Sequence, residues 1–423
     1  MGTPQTSHDL LHHLTIALSG LATSFTRLRR WSPRSIVVAV LMLTRPDQRT
    51  SYGSMLSGLA EETCRWLGLT SAPTRSSLSV ARRKVPVESF RQVLHQLVDH
   101  VSGLLPGTLK HYRGDRRFIA VDATSLVCPN TPALLKNLDR PHWSPWLHAH
   151  YPRAMVVVAF DVVRRLPLEW VLLAKGTGER AAVEPLLKRF RPGDVVIMDR
   201  GYPSRAVLAT LVGSGVDVVM RMTAGKAGAW PEVKAFLDSG AKTAVITYTW
   251  AKGKTVDIRL VRRNPPAGRP LKHQKRETMI VLTTLLPRHG FEAKDILDLY
   301  GKRWGIESLF REMKEAFGIE RFHARTLDGI QQEIATVLMW IALIAVIHGA
   351  VQDGLTDGKL ANRTVSREIA RICMLSAIEG RMPDIPRFIT EARRHAYKPR
   401  PGRSFPRVSK IPYGRFRNRS ATK

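Results

Sequence analysis

An α/β fold flanked by helices is predicted by three features of the 423-residue chain. Between residues 117 and 222, short apolar, β-branched runs alternate with helix-like segments, as in a sheet covered by helices. Between 224 and 290, three alternating runs are separated by basic loops, which predicts antiparallel strands in an insertion. Both ends of the chain read as helical. The expected organisation is a helical domain over 1–112, a core split into 113–223 and 291–350 by a β-rich insertion over 224–290, and C-terminal helices with a basic tail over 351–423.

In the N-terminal region, Ile36–Leu43 reads as a buried helical segment, and Tyr52–Leu67 as an amphipathic helix stopped by Gly68. The stretch TSAPTRSSLSVARRKVP follows. Pro73 suits a helix start and Pro86 an end, and between them Arg75, Arg82, Arg83 and Lys84 interleave with Ser76, Ser77 and Ser79. A helix, a short turn and a second helix rich in Ser and Arg is the outline of a helix-turn-helix DNA reader. The plainer alternative is a surface helix of a small bundle.

The core opens with FIAVDATSLV, a strand with Asp122 inside it. An Asp in a buried strand is costly unless its charge is matched, by a metal or by loop amides. MVVVAFDVV (155–163) and LEWVLLAK (168–175) make a hairpin across Arg164 and Arg165, and 179–190 is helical. DVVIMDRGYPS (194–204) is a buried strand ending in Asp199, with Gly201 just beyond; the carboxyl ends of central strands are where α/β sheets hold their sites. A helix over 206–212 and the strand VDVVMRM complete this part. The insertion strands are AVITYTW, TVDIRLVRR and ETMIVLTTLL.

After the insertion comes DILDLYGKRWGIESLFREMKEAF, residues 295–317. Leu299, Ile306, Phe310, Met313 and Phe317 recur with the period of an amphipathic helix. Beside that stripe, Tyr300, Arg303, Glu307 and Lys314 fall within roughly 60° of one another at ~100° per residue. An ordinary solvated face with i,i+4 ion pairs is the bland explanation. Against it, Tyr300 and Arg303 are no charge pair, and Gly301 and Gly305 inside a helix each cost ~1 kcal/mol. Close approach of a ligand or backbone would explain the glycines, and two cations with one carboxylate suit an anion with a metal beside it.

The formal net charge is +31, from 66 Lys+Arg against 35 Asp+Glu, which points to a polyanionic partner. From Tyr397 the tail holds nine Lys/Arg and no acid, suited to non-specific phosphate contact. The three cysteines, Cys64, Cys128 and Cys373, show no CxxC, so neither a disulfide framework nor a zinc site is supported, and a reducing compartment is expected. The first residues do not read as a signal peptide. Ile334–Val351 is membrane-like but only 18 residues long, just under the ~20 needed to span; it is expected to be a buried core helix. No membrane partner is expected.

Asp122, Asp199 and Glu307 share one logic. Strands one and four adjoin in a five-stranded sheet, and a helix crossing their ends supplies the third carboxylate. Three converging carboxylates need cations, and two Mg²⁺ about 3.5–4 Å apart would make a phosphoryl-transfer site.

These residues carry a resemblance. Asp122 in FIAVDATS, Asp199 in VVIMDRGYPS and Y-x₂-R-x₃-E-x₆-K at Tyr300, Arg303, Glu307 and Lys314 resemble the DDE transposases of bacterial insertion sequences, of the IS-four family. The resemblance covers roughly 117–350. It implies an RNase H-like core with a β insertion between the second Asp and the Glu. It implies that Asp122, Asp199 and Glu307 bind two Mg²⁺, with Mn²⁺ as a substitute, and that Tyr300, Arg303 and Lys314 hold DNA-end phosphates. Some members stack a flipped base on a Trp of the insertion; Trp250 is the candidate here, Trp230 the alternative, and Trp170 and Trp304 are assigned to the core. The implied activity is cut-and-paste DNA transposition. The implied partners are double-stranded DNA, as transposon ends and target, and a second copy of the chain in the DNA complex. The implied place is the bacterial cytoplasm, on the nucleoid. The rivals are a metal-dependent nuclease or resolvase on the same fold, against which the helical N-terminus and basic tail argue, and a non-catalytic DNA-binding derivative, against which the acidic triad argues.

Overall fold

The computed structural model describes residues 10–21, 31–46, 51–52, 55, 64, 69, 73–105, 116–144, 147–223, 230–250, 253–264 and 278–399. Most of the expected Tyr52–Leu67 helix, the basic loop over 265–277, the tail from 400 and the side chain of Trp250 lie outside these residues. Two compact units are formed: one from Met1–Pro106, Ser125–Met155 and Arg311–Lys423, the other from Gly107–Thr124 and Val156–Phe310.

The second unit is mixed α/β. The strands of the described chain are β1 (Phe118–Val127), β2 (His142–Ser144), β3 (Leu147–His148), β4 (Arg153–Asp161), β5 (Leu166–Leu172), β6 (Val195–Met198), β7 (Asp217–Met222), β8 (Thr243–Trp250), β9 (Lys254–Arg263) and β10 (Met279–Thr283), of which β2 and β3 fall within the first unit. All but β2 and β3 join one eight-stranded sheet of order β5-β4-β1-β6-β7-β10-β9-β8. The β1–β6 and β6–β7 pairs are parallel; the β4–β5, β7–β10, β10–β9 and β9–β8 pairs are antiparallel. Val195, Val196, Ile197 and Met198 of β6 are all buried, as an uninterrupted apolar run between two parallel neighbours requires. The β4–β5 hairpin turns with Arg165 left-handed (φ 59°). The Asp161 carboxylate steadies that turn by accepting from the Val163 and Arg164 N–H groups, at 2.9 and 3.0 Å.

The strands expected to form an inserted subdomain instead lengthen the main sheet. β10 pairs with β7 through Ile280↔Met222, and β9 and β8 follow outward. The apolar residues of β10 are buried on both faces, which only a flanked strand permits.

The first unit is helical and is built around Leu327–Asp353, 27 residues long. That helix is apolar and long enough to cross a membrane, and 83% of its most apolar stretch is buried in the protein, as expected of a core helix. Val87–Ser102, Pro33–Leu43, Arg363–Ile378 and Ile385–Arg394 pack on it. Each large apolar side chain it buries, such as Trp340 or Leu343, contributes about 1.5–3 kcal/mol. The Trp340 indole N–H donates to the Leu41 carbonyl at 2.8 Å, so its one polar atom is satisfied. The N-terminal and C-terminal helices thus share one core, where separate regions were expected.

Candidate active site

The register of the sheet sets two carboxylates side by side. In the parallel β1–β6 pair, Val121 lies opposite Met198. The next residue on each chain is Asp122 and Asp199. Neighbouring strands run ~4.8 Å apart, so two Asp side chains leave adjacent strands at one level, where β6 ends and β1 continues. Each carboxylate takes a local backbone donor: the Ala123 N–H to Asp122 Oδ1 at 2.9 Å, and the Gly201 N–H to Asp199 Oδ1 at 2.7 Å.

The signature segment is two helices, not the single one its periodicity predicts. Ala293–Gly301 and Trp304–Glu315 are separated by Lys302 and Arg303. Across the break the N–H groups of Lys302, Arg303, Gly305 and Ile306 bond three residues back rather than four. Gly301 closes the first helix, and a Cβ there would meet nothing within 4 Å, so no close approach explains it. Gly305 is different: a Cβ there would touch Val162 Cγ1 at 3.4 Å, so this glycine lets the second helix sit close to the β4 end.

The break aims Arg303 at the acidic groups. Its Nη1 donates to Asp122 Oδ2 and its Nη2 to Glu307 Oε1, both at 2.7 Å. One guanidinium therefore joins the residue at the β1–β6 level to the carboxylate on the helix. The i,i+4 pair of the bland reading exists, as half of a bridge. Arg303 Nε is buried and makes no hydrogen bond. The guanidinium carbon lies 5.9 Å from the Tyr300 ring and 5.6 Å from the Trp304 ring. Burial opposes the Arg303 charge, but Tyr300, Glu307 and Asp122 outweigh it and raise its pKa.

The acid side of the site is crowded. The Asp122 carboxyl is raised to about 6: burial is the largest cause, the Ala123 N–H and Arg303 oppose it, and Asp199 and Glu179 add to it. Glu179 is the residue sequence reasoning missed. It opens the stretch 179–190, which reads only as helical, and nothing there singled it out. Its own carboxyl is raised by burial and then by the Asp199 charge.

The remaining candidates fall apart. Tyr300, expected on the DNA face, is 7% exposed and packs with Phe118, Val195, Ile197, Ile296 and Leu299. Lys314 is half-buried, two turns beyond Glu307 on the same helix. Trp304, expected in the core, is 62% exposed, whereas Trp170 is fully buried as expected. Trp230 stacks on Tyr248 at 5.8 Å, with the Arg205 guanidinium 5.0 Å from one ring and 5.1 Å from the other. Trp250 ends β8, opposite Lys254.

In the Ser/Arg-rich segment a helix runs Arg75–Arg82, its Thr74 cap accepting from the Ser77 N–H at 3.2 Å. Arg75, Arg83 and Lys84 are exposed, as a DNA-facing surface needs. Arg82 is not: it is 4% exposed and cannot reach DNA as placed. Leu78 and Arg82, one helical turn apart, turn the same face inward. There Arg82 donates to Gln332 Oε1, Tyr52 Oη, Glu333 Oε1 and the Gly329 carbonyl, at 2.6–3.0 Å.

The donor set of Asp122, Asp199 and Glu307 is hard oxygen, as Mg²⁺ prefers. Among the described residues, no three acidic, His or Cys side chains stand close enough together to hold a metal as placed. As placed, Arg303 engages two of the three expected ligands, Asp122 and Glu307, with its two terminal nitrogens. The set fits a divalent cation in the chemistry of its donors.

Residues 113–343 match the family described as Transposase DDE domain. The transposase InsG for insertion sequence element IS4 of Escherichia coli (strain K12) is 21% identical over 389 residues, 79% of this chain and 87% of that protein. Among solved structures, a piggyBac transposase synaptic complex with hairpin DNA aligns with a TM-score of 0.45 at 12% identity, over 95% of this chain and 85% of that one.

Proposed function

The chain belongs to the DDE-domain transposases, whose domain spans more than half of its length, and is a DNA transposase; from that premise we propose that it excises and inserts an insertion sequence by cut and paste. Transposases of this family use divalent metal ions. In this reading Asp122, Asp199 and Glu307 hold two Mg²⁺, which Mn²⁺ can replace, on an RNase H-like core formed by the β5-β4-β1-β6-β7 part of the sheet. The observation that supports it best is the convergence of Asp122 with Asp199 by strand register and with Glu307 through Arg303. When bound, the ions supply activation of the attacking oxygen and stabilisation of the leaving one. The partners are double-stranded DNA, as element ends and target, with two copies of the chain in the DNA complex, in the cytoplasm on the nucleoid. Arg75, Arg83 and Lys84 face the ends, and Trp250 is the candidate to stack a flipped base.

The chain's own residues prepare the site. Arg303 neutralises Asp122 and Glu307, so that carboxylates which must later hold cations are held together without them. A scissile phosphate is itself an acceptor for the guanidinium, and Nε is already an unused buried donor. Arg303 then passes from carboxylates to phosphate as metal and DNA arrive, and Lys314 holds the strand further along the helix.

The experiment mixes the full chain with labelled DNA carrying the inverted repeats that flank its gene, in Mg²⁺. Double-strand breaks at the ends followed by joining to target DNA are expected. Cleavage without joined product would leave the nuclease reading. In the same assay Arg303→Ala is expected to lower cleavage about 10²-fold. Its affinity for random DNA should barely change, because a charge of +31 supplies many other contacts. Cleavage near wild type would reduce Arg303 to an ion pair.

A further inference from the structure

We propose that Glu179 is a fourth acidic residue of the catalytic site, holding the divalent cation together with Asp199. This rests on the metal-dependent reading above and adds a residue that neither the signature nor the strand ends select. Glu179 opens a short 3-10 helix, Glu179–Ala182, following β5. Its neighbour Arg180 donates from Nε to the Gly201 carbonyl at 2.9 Å, which ties this turn to the loop after Asp199. A Cβ on Gly201 would lie 3.1 Å from Asp199 Oδ1 and 3.8 Å from Glu179 Oε2. The two carboxylates thus flank one glycine, and a side chain there would crowd the space between them.

Charge separates this pair from the other. Arg303 bridges Asp122 and Glu307. Among the described residues neither Asp199 nor Glu179 has an ion pair, yet an oxygen of each lies 3.1 and 3.8 Å from one point beside Gly201. Like charges held together in a half-buried site are unfavourable until a cation comes between them.

Tyr202 supplies an independent sign. It is fully buried, and its hydroxyl closes no hydrogen bond of good geometry. Burial raises its phenol well above the usual value, and Glu179, Asp122 and Asp199 raise it further, in that order. This buried O–H faces the Glu179 carboxylate, whose pKa it lowers. It is placed to fix Glu179 by donating to one carboxylate oxygen while the other faces a cation, as partners behind metal ligands do.

The test titrates the full-length chain with Mn²⁺ alone at neutral pH and reads free Mn²⁺ by electron paramagnetic resonance. Glu179→Gln is nearly isosteric and removes one charge. It is expected to weaken Mn²⁺ binding roughly 10–100-fold and to leave the melting temperature in EDTA unchanged or higher. Asp199→Asn is run beside it. Loss in Asp199→Asn with wild-type affinity in Glu179→Gln overturns the role of Glu179 alone; wild-type affinity in both overturns the metal reading beneath it. Should Glu179→Gln melt lower in EDTA, the rise in melting temperature produced by Mn²⁺ is read instead. A lost rise supports the proposal and a retained rise overturns it.

Discussion

Asp199→Ala abolishes strand cleavage, a loss of about 10³-fold or more, and leaves DNA binding and the fold intact. The same loss is expected of Asp122→Ala and Glu307→Ala. Asp199 makes the sharpest case because its structural duties are few: its carboxylate accepts one backbone N–H, from Gly201, and has no ion pair among the described residues. Removing it relieves the neighbouring acids, since Asp199 raises both Asp122 and Glu179. The melting temperature without metal is therefore expected to stay level or rise. A merely structural Asp would show the opposite, a lower melting temperature with cleavage retained. Cleavage of labelled ends in Mg²⁺ and a gel shift in EDTA separate the two outcomes. Full cleavage by any one variant removes that residue from the site.

Arg82→Ala destabilises the helical unit by about 3–5 kcal/mol, the cost of stranding a buried charge, or roughly 10 °C in melting temperature. Arg82 and Glu333 are 4% and 3% exposed, and their ion pair is 3.0 Å long. Glu333 also accepts from the N–H groups of His323 and Ala324, at 3.0 and 2.9 Å. One carboxylate therefore pins the Arg75–Arg82 helix and the 323–324 loop to the central helix. Burial alone would raise the Glu333 carboxyl, but Arg82 and His323 outweigh it and hold it below its ordinary value of 4.5. A carboxylate depressed in this way contributes stability above its unfolded pKa and loses it as pH falls through the folded one. The gap between wild type and Arg82→Ala should accordingly be full at neutral pH and shrink below about pH 4.5. DNA binding separates the roles: Arg83→Ala or Lys84→Ala should each lower the salt slope by about one, and Arg82→Ala, at a temperature where it is folded, should not. An Arg82→Ala protein as stable as wild type with a reduced slope would return Arg82 to the DNA surface.

The sequence patterns that proved legible are local. β6 reads as a buried strand because four apolar residues precede Asp199, and the hairpin of β4 and β5 reads from its turn. Asp122 and Asp199 could be paired in advance because each stands at a definite point on a strand, and parallel neighbours share a level. The path of β10 back to β7 was not legible, since pairing across some sixty residues leaves no local mark. The break at Lys302 and Arg303 escaped notice for a subtler reason. A two-residue turn bonded three back keeps the apolar phase, so Leu299, Ile306, Phe310 and Met313 remain buried on both sides of it. Only the glycines marked it. Arg82 misled because an Arg among serines reads as surface. The contrary signal lay 251 residues away, where Glu333 stands buried at the head of the apolar run of the central helix and requires a cation. Trp304 misled because size and apolarity predict burial, whereas here its ring stands exposed beside a guanidinium.

The claim beneath all of this is that one divalent-metal site gathers residues far apart in the chain. Localised radical cleavage reads it directly. Fe²⁺ is loaded in place of Mg²⁺, and ascorbate with peroxide releases hydroxyl radicals that cut the backbone nearest the metal. The account predicts three sets of cuts, beside Asp122, beside Asp199 and beside Glu307, all suppressed by excess Mg²⁺. Cuts confined to other segments, or cuts at these places that Mg²⁺ leaves unchanged, would contradict it.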